Sequence, residues 1–334
     1  GDEVSVVGAD WTADGRLVFA SDETGWWNLR SWRPGSDEVT SLTELVGAEI
    51  GFPQWVFGLQ SWVEVGDQLA VVITRDGADE LALLDAEGTI TGLDAGAALE
   101  GVSWVQSMTG GRGFLDVIVH HGDRLPSIVQ IDLTAETPGS TGHAHPATVL
   151  RAPNDLGVDA AWFSRAEAIT FGGAGAAPGD DPSAHAFFYP PTGAGCAAPD
   201  GELPPLVVMG HGGPTAHSAP SLSLKVQYWT SRGFAVVDVN YGGSSGFGRA
   251  YRNRLRDAWG IVDVADCIAA ARSLAEAGRV DPNRIVIRGG SAGGFTVLRA
   301  LQESDLFAAG TSLYGVADLT ALAEETHKFE SRYL

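Results

Sequence analysis

Apolar and polar residues alternate in short runs along the first half of the chain, and turn residues punctuate them. Leu17-Val-Phe-Ala20, Trp27-Asn-Leu-Arg-Ser-Trp32, Leu69-Ala-Val-Val-Ile-Thr74 and Glu80-Leu-Ala-Leu-Leu-Asp85 read as strands. So do Leu115-Asp-Val-Ile-Val-His120 and Ser127-Ile-Val-Gln-Ile-Asp132. Ala13-Asp-Gly15, Asp76-Gly77, Glu87-Gly88 and His121-Gly-Asp123 separate them with turn chemistry. The strand pairs start near Leu17, Leu69 and Leu115, so successive starts lie 52 and 46 residues apart. Each unit holds a hairpin and another strand or two, the size and rhythm of a β-propeller blade. Residues 1–157 therefore predict a partial propeller of about three blades, fewer than the roughly four that a closed propeller needs.

The pattern changes after residue 157. Residues 158–205 read as a bridging segment, with strands at Ile169-Thr-Phe171 and Ala186-Phe-Phe-Tyr189 between Gly/Ala/Pro-rich loops. From Leu206 strands and helices alternate. Leu206-Val-Val-Met209, Phe234-Ala-Val-Val-Asp-Val239, Arg284–Arg288 and Ala308–Tyr314 read as strands, and Ser221–Arg232, Asp257–Ala277 and the stretch from Ser291 to about Glu303 as helices. Alternation of this kind predicts a doubly wound, mainly parallel sheet covered on both faces.

Composition narrows the function. Of 334 residues 44% are hydrophobic, which suits two globular domains, and the net charge is −21. A nucleic-acid binder needs a basic face to displace counterions, and only two of the 21 basic residues are lysines, Lys225 and Lys328. Cys196 and Cys267 have no metal-ligand spacing, so neither a zinc site nor a disulfide framework is expected. No apolar run reaches a membrane span of roughly 18 residues. The chain opens Gly1-Asp-Glu-Val4, without an initiator Met or a signal peptide. It is expected to be an internal segment of a longer cytoplasmic enzyme. A homo-oligomer is compatible with the sequence.

Candidate chemistry centres on Gly289-Gly-Ser-Ala-Gly-Gly294, where an apolar strand meets a helix through a glycine turn with Ser291 at its apex. Gly289, Ser291 and Gly293 fit the G-x-S-x-G nucleophile elbow in its strand–turn–helix context. The turn is strained, so its neighbours must be small. Acyl transfer also needs donors for an oxyanion. The N–H of Ala292 is one candidate. Gly213, with Gly212 beside it, is the other, in the loop His211-Gly-Gly-Pro214 that follows an earlier strand. His211 is expected to organise this loop rather than to act as a base. Asn240-Tyr-Gly-Gly-Ser-Ser-Gly-Phe-Gly248 follows the next strand. It lacks the Lys-Ser/Thr of a phosphate-binding P-loop. It is expected to line the cleft through Tyr241, Gly242, Gly243 and Ser244, as His211 and Pro214 do from their own loop.

These three motifs together resemble the prolyl oligopeptidase family of serine peptidases, in its acylaminoacyl-peptidase and dipeptidyl-aminopeptidase-like branch. Trp11-Thr-Ala-Asp-Gly15 and Ser21-Asp-Glu-Thr-Gly-Trp-Trp-Asn28 are similar to blades of those enzymes. The resemblance covers nearly the whole chain. It implies a β-propeller preceding an α/β-hydrolase domain at 206–334, Ser291 as nucleophile and short peptides as substrates. It implies no metal or organic cofactor. Triad order in this fold is Ser, then Asp or Glu, then His, yet only 43 residues follow Ser291. Asp305, Asp318 and His327 lie in that stretch, and none fits the later loops where acid and base belong. The triad is expected to contribute only its serine here, so this segment alone is expected to be inactive. Two competing readings remain. A carboxylesterase or lipase would share the elbow and the His-Gly-Gly loop, and a non-catalytic propeller binding protein would lack the acid and base altogether.

Overall fold

The computed structural model describes residues 3–56, 58–135, 144–193 and 195–326. His327 and the residues after it lie outside that description. By backbone contacts the chain divides into two compact units. One is Gly1–Leu156 with Ala219–Leu222 and Gly246–Arg249; the other is Gly157–Ser218, Ser223–Ser245 and Ala250–Leu334.

Among the described residues the first unit holds twelve strands in three antiparallel sheets of four. They are β1 (Val6–Trp11), β2 (Leu17–Ser21), β3 (Asn28–Trp32) and β4 (Val39–Ser41); β5 (Trp62–Val65), β6 (Gln68–Arg75), β7 (Ala78–Leu84) and β8 (Ile90–Gly92); and β9 (Val102–Gly111), β10 (Phe114–His121), β11 (Ser127–Asp132) and β12 (Ala147–Arg151). Each sheet is a meander in chain order, the form of a propeller blade. The hairpins legible in the sequence, β2–β3, β6–β7 and β10–β11, form the middle of each blade, and the last strand of each is short or exposed. Middle strands bury one or both faces. Val18, Ala20 and Leu29 of the first blade, Ala70 to Val72 of the second and Leu115, Val117 and Val119 of the third join one apolar core. Asp79 of β7 ties the second blade to the third, accepting from Thr74 Oγ1 at 2.7 Å and from the Val105 N–H at 2.9 Å.

The second unit is built on one six-stranded sheet. Its elements are β13 (Glu167–Gly172), β14 (Ser183–Tyr189), β15 (Leu206–Gly210), α1 (Leu224–Thr230), β16 (Ala235–Asn240), α2 (Gly248–Asn253), α3 (Val262–Glu276), β17 (Ile285–Gly290), α4 (Ala292–Glu303), β18 (Ala309–Leu313) and α5 (Leu319–Glu325). Strand order is β13-β14-β16-β15-β17-β18. The four strands from β16 to β18 are parallel, and β13 and β14 add antiparallel at one edge. The two strands read as a bridge in the sequence thus belong to this sheet. Continuous Val/Leu/Ile runs in β15, β16 and β17 reflect burial on both faces. Val208, Val237 and Ile287 pack toward α3 and α4, whereas Val207 and Val236 pack toward Val226 of α1. The chain leaves β15 for β16 on one side and returns to β17 on the other, so the strand order reverses at β15. Ligand crevices form at the carboxyl ends of strands beside such a switch point. Three loops meet there: 211–218, 240–245 and the turn at Ser291. No helix of the described residues is long and apolar enough to cross a membrane.

Candidate active site

Ser291 sits between β17 and α4 with φ 53° and ψ −122°, a left-handed conformation that costs a non-glycine residue strain. Hydrogen bonds hold it there. Its N–H donates to the Leu313 carbonyl at 3.0 Å, and its own carbonyl accepts from Gly294 at 2.9 Å and from Val316 at 3.3 Å. The serine is exposed while Ala292 to Val297 behind it are buried. The glycines of the turn have separate reasons. A Cβ on Gly293 would stand 2.2 Å from the Gly210 carbonyl oxygen, and one on Gly289 would stand 2.2 Å from the Gly293 carbonyl oxygen. The first turn of α4 therefore presses directly on the end of β15.

The His211–Pro214 loop passes beside this serine. A Cβ on Gly212 would lie 3.6 Å from Ser291 Cβ. One cleft is lined by His211, Gly212, Lys225, Asp238, Arg288 and Ser291 among others. A second, apolar recess is lined by Gly213, Pro214, Trp259, Ser291, Ala292, Val316 and Leu322. Trp259, Val316 and Leu322 carried no motif in the sequence, because their role depends on tertiary placement. Among the described residues no acceptor takes the N–H of Gly212 or Gly213. Ala292 opens α4, where a first-turn N–H has no partner within the helix.

Tyr241, Gly242, Gly243 and Ser244 do not wall the cleft. The structure corrects that expectation: all four are buried behind the 211–218 loop. Close packing explains the glycines. A Cβ on Gly242 would meet Val262 at 2.8 Å, and one on Gly243 would meet Leu255 at 2.8 Å in a backbone with φ 120°. From behind, this loop grips the first. Tyr241 Oη donates to the carbonyls of His211 at 3.0 Å and Pro214 at 3.2 Å. Ser244 Oγ meets His211 Nε2 at 2.7 Å, Ser245 Oγ meets His217 Nδ1 at 3.1 Å, and the Asn240 amide pairs with both backbone groups of Ser218. Asp266 of α3 secures the gripping loop in turn, accepting from the Gly242 N–H at 2.7 Å and the Ala174 N–H at 2.7 Å. Burial raises the Asp266 carboxyl to about 6, against the pull of those two donors.

Neither histidine of the loop is placed as a base for Ser291. Burial lowers His211 and His217 to about 4, so both are neutral at pH 7. His211 Nδ1 donates to the Gly212 carbonyl at 2.7 Å, and Nε2 stands 2.7 Å from Ser244 Oγ. Asp318 caps α5 through the N–H groups of Thr320 and Ala321, as an N-cap residue does. Asp305 lies in the turn after α4. His327 lies outside the described residues. The described residues thus bring together a strained, exposed serine and three N–H groups with no acceptor among them, without the acid and base. Among them no group of His, Cys, Asp and Glu could hold a metal ion.

Residues 220–334 match the family profile described as the prolyl oligopeptidase family. Over that stretch the chain is similar to the prolyl oligopeptidase family. The acylamino-acid-releasing enzyme of Arabidopsis thaliana is 35% identical over 124 residues, 37% of this chain and 16% of that protein. Dipeptidyl aminopeptidase BIII of Pseudoxanthomonas mexicana is 34% identical over 119 residues, 35% of this chain and 17% of that protein. Among solved structures, puromycin hydrolase superposes over 100% of this chain and 48% of its own, at 39% identity and TM-score 0.88. A puromycin-hydrolyzing peptidase of Mycobacterium tuberculosis does so over 100% and 49%, at 37% identity and TM-score 0.86. The chain thus spans about half the length of these solved relatives. These solved structures share the fold described above, propeller blades and an α/β-hydrolase sheet.

Proposed function

We propose that this chain carries the nucleophile and oxyanion-binding half of a serine peptidase that cleaves short peptides and peptide-like amides. The observation that carries the reading is Ser291, exposed and strained at the switch point, beside the N–H groups of Gly212, Gly213 and Ala292, for which the described residues supply no acceptor. Ser291 Oγ attacks the scissile carbonyl carbon while a general base takes its proton. The carbonyl oxygen becomes an oxyanion and receives hydrogen bonds from Ala292 and from Gly213 or Gly212. The C–N bond then breaks as the amine leaves with a proton, and water hydrolyses the acyl-serine. The recess formed by Pro214, Trp259, Val316 and Leu322 suits an apolar side chain next to the scissile bond. Relatives named acylamino-acid-releasing enzyme, dipeptidyl aminopeptidase and puromycin hydrolase favour amide over ester substrates.

A fluorophosphonate probe and leucyl p-nitroanilide test the proposal on the full-length protein. The probe is expected to label Ser291, and Ser291→Ala is expected to abolish labelling and to lower anilide hydrolysis by about 10⁴-fold or more. Equal anilide hydrolysis by Ser291→Ala would overturn the nucleophile. Hydrolysis of short acyl esters with no anilide turnover would move the protein to the esterases.

A further inference from the structure

Each of the two candidate oxyanion donors in the His211–Pro214 loop is held by a hydrogen bond at the other end of its own peptide. In a trans peptide the C=O and N–H point in opposite directions. The His211–Gly212 and Gly212–Gly213 peptides are both trans. The carbonyl of the first accepts from Tyr241 Oη, so the Gly212 N–H points away from Tyr241. The carbonyl of the second accepts from His211 Nδ1, so the Gly213 N–H points away from the imidazole. Gly212 borders Ser291 in one cleft and Gly213 borders it in the other. Tyr241 is fully buried, and its ring stacks on that of His211 at 4.3 Å between centroids and 16° between planes. Burial raises the phenol well above its usual range, so it remains a donor at any working pH. Ser244 closes the arrangement, its Oγ standing 2.7 Å from His211 Nε2 and donating to the Tyr241 carbonyl at 2.8 Å.

We infer that Tyr241 and His211 are positioning residues that aim and polarise the two loop N–H groups toward the reacting carbonyl, Tyr241 through the His211 carbonyl and His211 through that of Gly212. This rests on the reading of Ser291 as the nucleophile. Neither side chain is required to touch substrate. The second glycine loop, 240–245, thereby gains a role as the template against which the oxyanion loop is set. Polarisation follows from the same contacts, because an amide whose oxygen accepts a hydrogen bond becomes a stronger donor at its nitrogen. The effect belongs to the transition state, where the oxyanion has formed, and leaves ground-state binding nearly unchanged.

Three variants of the full-length protein test this with leucyl p-nitroanilide and the fluorophosphonate probe. Tyr241→Phe keeps the stacked ring and removes only the hydroxyl. It is expected to lower kcat and the probe's second-order labelling rate about tenfold, with KM changed by less than about twofold. His211→Leu is expected to lower both rates about a hundredfold. His211→Asn places an amide nitrogen where Nδ1 stands, and is expected to recover about tenfold of that loss. A residue that merely supports the fold would shift thermal stability without this kcat-against-KM split and without rescue by asparagine. Wild-type kcat and labelling in Tyr241→Phe, or His211→Asn no better than His211→Leu, would overturn the inference. If Tyr241→Phe unfolds, the two His211 variants decide. Ser291→Ala run in parallel separates the failures: activity retained there sinks the nucleophile assignment, whereas activity lost there with an unaffected Tyr241→Phe sinks the positioning role alone.

Discussion

Among single residues, the elbow distinguishes glycines that look alike in the sequence. Gly289, Gly290, Gly293 and Gly294 all stand within three residues of Ser291, and proximity to a strained turn is the only reason the sequence offers for their size. Their surroundings separate them. A Cβ on Gly293 would strike backbone, the Gly210 oxygen at 2.2 Å and the His211 oxygen at 2.7 Å, and backbone cannot yield without displacing the His211–Pro214 loop. The three atoms nearest a Cβ on Gly290 would all belong to the Tyr314 side chain, at 3.0 to 3.1 Å, and that residue is 82% exposed and can swing away. Gly293→Ala is therefore expected to destabilise by about 3 kcal/mol and to abolish probe labelling of Ser291. Gly290→Ala is expected to cost less than about 1 kcal/mol and to leave labelling within a few fold. Denaturant unfolding and labelling rates measured side by side check the pair; equal losses in both variants would show that the Gly210–Gly293 contact is not what demands glycine.

Among the elements, the strands around the site were legible because their apolar runs are long and uninterrupted. The helices were legible in kind but not in extent. The stretch starting at Asp257 reads as helix, yet α3 begins only at Val262, since Asp257 (φ 57°) and Gly260 (φ 83°) take left-handed conformations that break the helical path. Tertiary packing selects those conformations, and no local pattern announces them. The 240–245 loop was placed on the correct end of β16 but on the wrong side of the oxyanion loop, because period and motif do not say which of two adjacent loops lies in front. Asp266 marks what was missed: it reads as one more polar residue on an amphipathic helix, but it accepts two backbone N–H groups from two different segments. It also makes stability depend on pH in an unusual direction. Asp79, Asp238 and Asp266 are each raised by burial to about 6 from an ordinary value of 3.8. Between those values each of the three carboxyls binds more protons in the folded state than in the unfolded chain, so their contribution to stability falls as pH rises from about 4 to about 6, while His211 and His217, lowered by burial to about 4, contribute in the opposite sense. Thermal unfolding midpoints of the wild type and an Asp266 variant, compared across pH 4 to 7, isolate the Asp266 part. Asp266→Asn is expected to lose one N–H acceptor, to be less stable at pH 7, and to show a less negative slope of stability against pH than the wild type between pH 4 and 6. An unchanged slope in that variant would mean that Asp266 titrates normally.

For the molecule as a whole, each unit is intelligible by itself: three blades sharing one apolar core, and one sheet whose switch point gathers the chemistry. The blade rhythm was legible because hairpin centres recur at a nearly constant spacing. The outer strands were not, since β4 and β8 are three residues long and β12 is exposed throughout, leaving little apolar alternation to read. The chemistry of the described residues leads to one further expectation. A serine hydroxyl attacks slowly unless a base removes its proton. No hydrogen bond joins Ser291 to an imidazole among the described residues. His211 has both ring nitrogens engaged and His217 is held against Ser245, with burial keeping each neutral down to about pH 4. The 334-residue polypeptide is therefore expected to react with a fluorophosphonate about 10⁴- to 10⁶-fold more slowly than the full-length protein, the range over which triad members act. Its oxyanion donors would still be present, so a residual rate above that of free serine is expected, and Gly293→Ala in the same polypeptide should erase it. Rapid labelling of the 334-residue polypeptide would place the base within it. His327→Gln would then be the first variant to measure, because His327 stands outside the described residues and the loop histidines are already committed to hydrogen bonds of their own.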